Sequence, residues 1–359
     1  IYNGFPVEVG QILVDKCATV GCHSNKVHQL EQRLSLESWH AMFYGARYGN
    51  AVIPYSPEFS FLINFINRDD RLLDMNELPP QGTEVVIAAI ARNIEKSIVK
   101  DFNRISIAFS HFKQHWIVIE SDSTDNSVRE LKKLQEIYSN FTFTTLGKLE
   151  TKYPRRMERL AVARNQYLKI LENSQYSNVD YLVVADLNNL NNRLTYTSVN
   201  SNWSRNDWAM VAANQSQKYY DVYALRHYLW APNDPWEHHK FLRDLGLFPE
   251  LALYLAVHSK MLRIHKSHPW INVDSAFGGI AIYRKKFLQN ALYKGINEKG
   301  EMVCEHVSFN HQVRNNGGEL YINPDFLNTN WTDHSRNAMW SKRIWRIAKY
   351  PFKARNLAQ

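Results

Sequence analysis

An α/β fold, with a mostly parallel sheet flanked by helices, is what the sequence predicts for residues 83–336. Two observations carry that prediction. Apolar runs of strand length recur along the chain, and segments between them place apolar residues at helical spacing. Strands alternating with helices close a parallel, right-handed sheet. A third observation locates the functional edge. Val179-Asp180-Tyr181-Leu182-Val183-Val184-Ala185-Asp186-Leu187-Asn188-Asn189 is an apolar run that ends abruptly in an acid and two amides. Such a run reads as a buried strand delivering polar groups to the carboxyl edge of the sheet, where open α/β sheets bind ligands. There Asp186 and Asn188 can hold a divalent cation that bridges the phosphates of a nucleotide.

The elements follow in order. Residues 84–90 form a buried-strand run, and 91–98 a turn entering a helix. Residues 115–120 read as a second strand, ending in Glu120, with a polar turn at 121–127. Glu120 and Asp122 can accept hydrogen bonds from a ribose or a base, or Asp122 can simply start the next helix as an Asx-turn. Val128, Leu131, Leu134 and Ile137 fall at helical spacing. Residues 154–168 give another helix, with Leu160, Ala163, Tyr167 and Leu168 on one face and Arg156, Arg159 and Arg164 around it. Arg164 and Asn165 are singled out, because a guanidinium fork suits a diphosphate.

Residues 219–226 are expected to begin as a strand and to run into the aromatic, proline-rich loop Trp230-Ala231-Pro232-Asn233-Asp234-Pro235-Trp236. Trp230, Asp234 and Trp236 are candidate acceptor contacts, with loop packing as the other reading. Gly278 and Gly279 precede a strand at 280–283, where backbone can approach a ligand closely. Residues 303–309 start a helix and 321–328 make the last strand, followed by Trp331-Thr332-Asp333-His334.

The chain of 359 residues is 45% hydrophobic and 13% aromatic, which excludes a disordered protein. No apolar run approaches the ~18 residues of a membrane span, so any membrane association is expected to be peripheral. A formal net charge of +8 favours an anionic partner. No recognition motif joins the basic residues, so nucleic acid is not expected to be that partner. Residues 337–359 are rich in Lys, Arg and Trp, and read either as a basic amphipathic segment for an anionic membrane surface or as a solvated terminal helix. The chain opens on Ile1 rather than Met, which is compatible with a removed signal peptide.

Residues 1–82 have a different texture. Cys17 and Cys22 stand beside His23, the arrangement of covalent haem attachment, in which thiols bond the porphyrin and the imidazole ligates iron. Four residues separate the thiols where two are usual, and a disulfide, a metal clip and free thiols stay open. With Gly45-Ala46-Arg47-Tyr48-Gly49-Asn50, Ser56-Pro57-Glu58-Phe59 and Leu78-Pro79-Pro80-Gln81-Gly82, residues 8–82 resemble the small, mainly helical cytochrome c domains of planctomycete-type proteins. That resemblance implies haem c on Cys17, Cys22 and His23. Leu78 stands where those domains have a methionine ligand, leaving Met75 or His40 as substitutes.

From residue 84 to 334 the succession of motifs resembles a GT-A (Rossmann-like) glycosyltransferase, similar to the family-2-like enzymes and the capsule-associated mannosyltransferases. The motifs are Ala91-Arg92-Asn93 after a strand, Glu120-Ser121-Asp122-Ser123-Thr124-Asp125-Asn126-Ser127, Ala163-Arg164-Asn165, and Ala185-Asp186-Leu187-Asn188. The resemblance implies donor contacts from Ala91, Arg92, Glu120, Asp122, Arg164, Asn165, Asp186, Asn188, Gly278 and Gly279. It also implies Mn²⁺ or Mg²⁺ on Asp186 and Asn188 with His334 as a late ligand, although the usual second acid of that motif is Asn188 here. Catalysis falls to Asp274, Glu305 and His306, with Glu305 as base if the reaction inverts the anomeric centre. The expected function is transfer of a sugar from a UDP- or GDP-linked donor to a hydroxyl of a glycan or lipid-linked glycan. The alternative is a haem electron-transfer module on an inactive, glycan-binding body. Nucleotide sugars place the protein in the cytoplasm or at the cytoplasmic membrane face; a working haem would place it in the periplasm.

Overall fold

The computed structural model describes residues 78–337. Cys17, Cys22, His23 and the rest of the cytochrome c-like segment up to residue 77, like the basic stretch after 337, lie outside the described residues. The first half alternates strand and helix as β1 (Glu84–Ala91), α1 (Ile98–Ala108), β2 (Lys113–Glu120), α2 (Ser127–Ile137), β3 (Phe141–Thr145), α3 (Arg156–Leu171) and β4 (Val179–Ala185). The second half is less regular. It runs α4 (Tyr196–Asn200), β5 (Met210–Gln215), α5 (Pro235–Asp244), α6 (Pro249–Ala256), β6 (Ile271–Asn272), β7 (Ile280–Arg284), α7 (Glu305–Asn315), β8 (Leu320–Thr329) and α8 (Asp333–Asn337).

The eight strands form one mixed sheet in the order β3-β2-β1-β4-β7-β5-β8-β6. Pairs β1–β2, β1–β4, β2–β3 and β5–β8 are parallel. β7 runs antiparallel to both β4 and β5, and β6 antiparallel to β8. The predicted α/β sheet is therefore present and mostly parallel. Its antiparallel members come from the long excursion between β5 and β7, which returns without a crossover helix.

Alternate side chains of each strand point to opposite faces, and each face carries its own core. Val86, Ala88, Ile117, Ile119, Leu182 and Val184 pack with α3 and α7 through Tyr167, Leu171, Phe309 and Val313. Val85, Ile87, Ala89, Trp116, Val118 and Val183 pack with α1 and α2 through Ile98, Phe102, Ile105, Leu131 and Leu134. This burial on both faces is why β1, β2 and β4 read as continuous apolar runs rather than alternating ones.

Three strands lacked a sequence signal. β3 has only five residues at the sheet edge, β6 only two, and β5, although all six of its residues are buried, breaks off into Asn214 and Gln215. Conversely, residues 219–226 do not begin as a strand. Tyr219 N–H donates to Leu262 O at 2.8 Å, residues 222–224 turn, and Arg226 makes only an isolated bridge with Ser275. The apolar residues there pack in a turn, Tyr219 against Trp230 and Val222 against Ala256, Val257 and Met261, while Asp221 faces the glycine turn. Among the described residues no helix is long and apolar enough to cross a membrane.

Trp116 sits fully buried between Phe102, 5.0 Å away centroid to centroid, and Phe141, 6.0 Å away and stacked. Trp116→Ala is expected to cost about 3–5 kcal/mol by transfer and cavity formation. Trp116→Phe should cost less, because the indole N–H it removes has no hydrogen-bond partner. Urea unfolding of the two variants checks the order, and equal losses would contradict it.

Candidate functional site

The turns that leave β1, β2 and β4 all lie at the carboxyl edge, and each contains a non-glycine residue with positive φ: Asn93 (53°), Asp122 (57°) and Asn189 (56°). Short Asn and Asp side chains tolerate this conformation because they bond locally. Asn93 Oδ1 accepts from Thr124 N–H at 2.8 Å, while Ser127 Oγ accepts from Ile94 N–H at 2.7 Å, so the first two turns are stitched together. The turn after β4 is tied to α1. Ser97 Oγ donates to Leu187 O at 3.2 Å, Asp101 Oδ2 accepts from Asn189 N–H at 2.9 Å, and Arg104 Nη1 donates to Asn189 Oδ1 at 3.3 Å.

Asp186 is set by strand pairing. Ala185 pairs with Ile280 across β4 and β7, so Asp186 N–H meets Gly279 O at 2.9 Å. The two glycines are needed there. Gly278 and Gly279 have φ of 69° and 89°, and a Cβ would lie 2.5 Å from Ala213 O on the first and 2.7 Å from the Tyr220 hydroxyl on the second. Buried amides hold the turn. Asn328 Nδ2 donates to Gly278 O at 2.8 Å, Gln215 Nε2 to the same oxygen at 3.0 Å, and Asn191 Nδ2 to Asp186 O at 2.8 Å.

The structure brings Arg164, Asp186, Glu305 and His306 together. Arg164 projects from α3 into the core with a side chain only 3% exposed. Its Nε donates to Glu305 Oε1 at 3.1 Å, and its Nη2 lies 3.6 Å from Asp186 Oδ1. Its Cζ lies over the rings of Phe277 and Tyr293, at 5.4 and 5.7 Å from their centroids. Burial works against the charge, but Tyr167, Glu305 and Asp186 hold the guanidinium's pKa well above its ordinary value. Burial raises the pKa of Asp186, against the pull of Arg164.

Glu305 opens α7 and is buried; its Oε2 faces the Cys304 thiol at 4.0 Å. That thiol's pKa is driven well up by burial and by Glu305, so it is no nucleophile at neutral pH. His306 stacks on Phe277 at 3.8 Å, and neither of its ring nitrogens makes a hydrogen bond. Burial, helped by Arg164, pulls its pKa well below the usual range, so the imidazole is neutral at pH 7.

Other sequence candidates are committed to the fold. Glu120 is buried, accepting from Ser123 N–H at 3.0 Å and from the Thr145 hydroxyl. Asp122 accepts from Glu150 N–H at 3.0 Å and faces Arg159 at 3.8 Å. Asn165 pairs with both backbone groups of Tyr293. Asp234 caps α5 and bonds Arg226 at 2.7 Å, and Trp230 donates from Nε1 to Lys260 O at 2.7 Å. Ala91 is buried at the end of β1; Arg92 is exposed and pairs with Glu150 at 3.4 Å. Trp236 and Asn188 are exposed, and Asp274 is exposed and paired with Arg314. His334 falls in α8, and its side chain lies outside those described.

Asp221 belongs to the site although the sequence reading passed it over. Its Oδ2 accepts from Gly278 N–H at 2.9 Å. The signal was available in Tyr219-Tyr220-Asp221, a bulky aromatic pair ending in an acid shortly after the buried run 210–215. As for a metal, no three His, Cys, Asp or Glu side chains form a cage among the described residues. Asp186 nevertheless leaves Oδ2 outside its pairing with Arg164, an arrangement that fits a cation shared with a ligand's phosphates.

No protein-family model matches the chain, and no curated protein matches it in sequence. Among solved structures it is similar to a mannosyltransferase from Pyrobaculum calidifontis in complex with GDP-Man and Mn²⁺, with TM-score 0.40, 14% identity, and 75% of this chain and 63% of that one covered. It is also similar to S. aureus TarS 1-349 in complex with UDP-GlcNAc, with TM-score 0.38, 12% identity and coverage of 71% and 61%. A third is galactosyltransferase LgtC in complex with donor and acceptor sugar analogs, with TM-score 0.35, 11% identity and coverage of 67% and 72%. The chain thus spans about 63% and 61% of the first two. Likeness at this level assigns no activity; the residues of the site must do that.

The Asp221 carboxyl is pushed up to about 6, first by burial and then by Asp186 and Glu305, against the N–H bonds from Gly278 and Ala224. Between 3.8, its value when unfolded, and about 6, the folded chain keeps a proton that the unfolded chain has released. Stability from this group therefore falls as pH rises through that window. Asp221→Asn should flatten the fall and be more stable than the parent at neutral pH. Thermal melts from about pH 4 to about pH 7 check this, and parallel curves for the two proteins refute it.

Proposed function

We propose that the protein is a GT-A-type glycosyltransferase that moves a sugar from a nucleotide-diphosphate donor to a hydroxyl of a glycan or lipid-linked glycan. The observation that carries this reading is the buried Arg164 set between Asp186 and Glu305 at the carboxyl edge of β4, beside a two-glycine turn. The order of motifs from Ala91-Arg92-Asn93 to Cys304-Glu305-His306 supports it.

In this reading the donor diphosphate lies at the edge formed by the turns after β1, β2 and β4, with its sugar against Gly278 and Gly279. The acceptor oxygen attacks the anomeric carbon as the bond to the diphosphate breaks, and the leaving group takes the bonding electrons. Glu305 takes the acceptor proton. Arg164 keeps the two carboxylates apart and in place, so the pocket does not reorganise as charge moves. Neutral His306 orients the proton transfer without adding charge. A divalent cation held at Asp186 would neutralise charge on the departing diphosphate as a Lewis acid.

Calorimetric titration with UDP- and GDP-linked sugars, with and without Mn²⁺, tests the reading. Binding of one donor class is expected, and no binding across a broad panel would remove the transferase assignment. Glu305→Gln preserves the acceptor for Arg164 Nε, so donor affinity should change little while kcat falls by about 10²–10⁴. Equal losses in binding and turnover would take the base role from Glu305.

A further inference from the structure

The Gly278–Gly279 turn joins two carboxylates that are distant in sequence. Asp186 bonds to it through its backbone N–H on Gly279 O, and Asp221 through Oδ2 on Gly278 N–H, both at 2.9 Å. The missing side chain of Gly279 leaves room for the Tyr220 hydroxyl, which would lie 2.7 Å from a Cβ there. Glu305 adds a third carboxylate that acts on both. Arg164 is the one buried guanidinium directly paired here, with Arg156 acting on Asp186 from farther out.

Two further features indicate an anionic ligand. Arg164 Nη1 is buried with no hydrogen-bond partner, although the other two nitrogens of that fork face carboxylates. Both ring nitrogens of His306, 5% exposed, likewise make no hydrogen bond, Nε2 lying 3.8 Å from Glu305 Oε1. A buried donor without an acceptor is costly, and a phosphate or sugar oxygen would relieve that cost.

Building on the transferase reading, we infer that Asp221 and Asp186 together hold the divalent cation, with the nucleotide's phosphates completing its shell. Mg²⁺ and Mn²⁺ suit one or two carboxylates plus phosphate and water oxygens, so no three-residue cage is needed. Asp221 keeps lone pairs free beyond those used by backbone N–H groups. Asn188 is exposed on a loop that α1 ties down through Leu187 and Asn189, and an amide there contributes no charge. The second negative charge of the site thus comes from the chain after β5 instead of from the motif after β4.

Uptake of Mn²⁺ by the full chain, read from the loss of the free-ion electron paramagnetic resonance signal with UDP or GDP present, tests this. Asp221→Asn and Asp186→Asn should each weaken uptake by about tenfold or more, and Asn188→Ala by less than about twofold. Asn at 221 can still accept from Gly278 N–H, and a preserved melting transition shows that the turn stands. Unchanged uptake in Asp221→Asn, or no uptake by the parent protein, overturns the assignment. Calorimetry of the nucleotide separates the two ideas. Mn²⁺ uptake that depends on Asp221 without any nucleotide or donor binding would keep the cation site and defeat the transferase. Donor binding with uptake indifferent to Asp221 would do the reverse.

Discussion

Arg164 enters the core from α3 with Nε bonded to Glu305 and Nη2 facing Asp186, and the rest of the carboxyl edge is arranged around that contact. A guanidinium this deep pays heavily in lost hydration, and apolar residues of the same volume would often be as stable. Its partners come from three separate parts of the chain, the middle of α3, the end of β4 and the start of α7. The pair therefore fixes where those elements meet. Its neighbours are matched to it: Phe277 and Tyr293 place ring faces over the cation, and Asn165 holds Tyr293 by both backbone groups. His306, stacked on Phe277, stays neutral because burial and Arg164 act in one direction.

The second constraint is backbone geometry. Three edge turns pass through left-handed Asn or Asp residues, and the turn before β7 passes through two left-handed glycines. Each is stabilised by side-chain bonds from a different element: Ser127 for the first, Asp101 for the loop after β4, Asn328 and Gln215 for the glycines. At the Asn and Asp positions this conformation costs about 1–3 kcal/mol each and persists only where the surroundings over-determine it, whereas glycine adopts it freely. Its concentration at one edge matches the place where ligands bind in open α/β sheets.

These two constraints explain what could be read in the sequence. β1, β2 and β4 were legible because burial on both faces leaves an uninterrupted apolar run, and α2 and α3 because apolar residues repeat at helical spacing, although in α2 Leu131 and Leu134 are buried while Val128 and Ile137 are exposed. β5 was not, since its short apolar stretch breaks off into Asn214 and Gln215 although every side chain is buried. Asp186 and Glu305 were legible as acids at the end of β4 and the start of α7, and Arg164 as one of the arginines around the apolar face of α3. Their mutual contact was not, because nothing in spacing says that residues 141 positions apart share a hydrogen bond. Glu120, Asp122, Asn165 and Asp234 had the same local appearance, yet each bonds to backbone or neighbouring side chains of its own fold. A short polar residue at an element's end satisfies orphan N–H groups as readily as it meets a ligand.

Asp221 shows why the charge pattern matters more than any single motif. A diphosphate arriving at this edge brings negative charge to a place that already holds Asp186, Asp221 and Glu305, with Arg164 the guanidinium paired with Asp186 and Glu305 among the described residues. Electrostatics would repel it there unless cations or protons came too, since low local dielectric strengthens every unbalanced pair. Burial first, and the neighbouring carboxylates after it, raise the pKa values of Asp186 and Asp221, so each carboxyl is easier to protonate than it would be in water. A divalent cation corrects the charge imbalance more completely than protons do, because it satisfies both carboxylates and the incoming phosphates at once. The proposed cation and nucleotide would thus each lower the cost of the other's arrival at this edge.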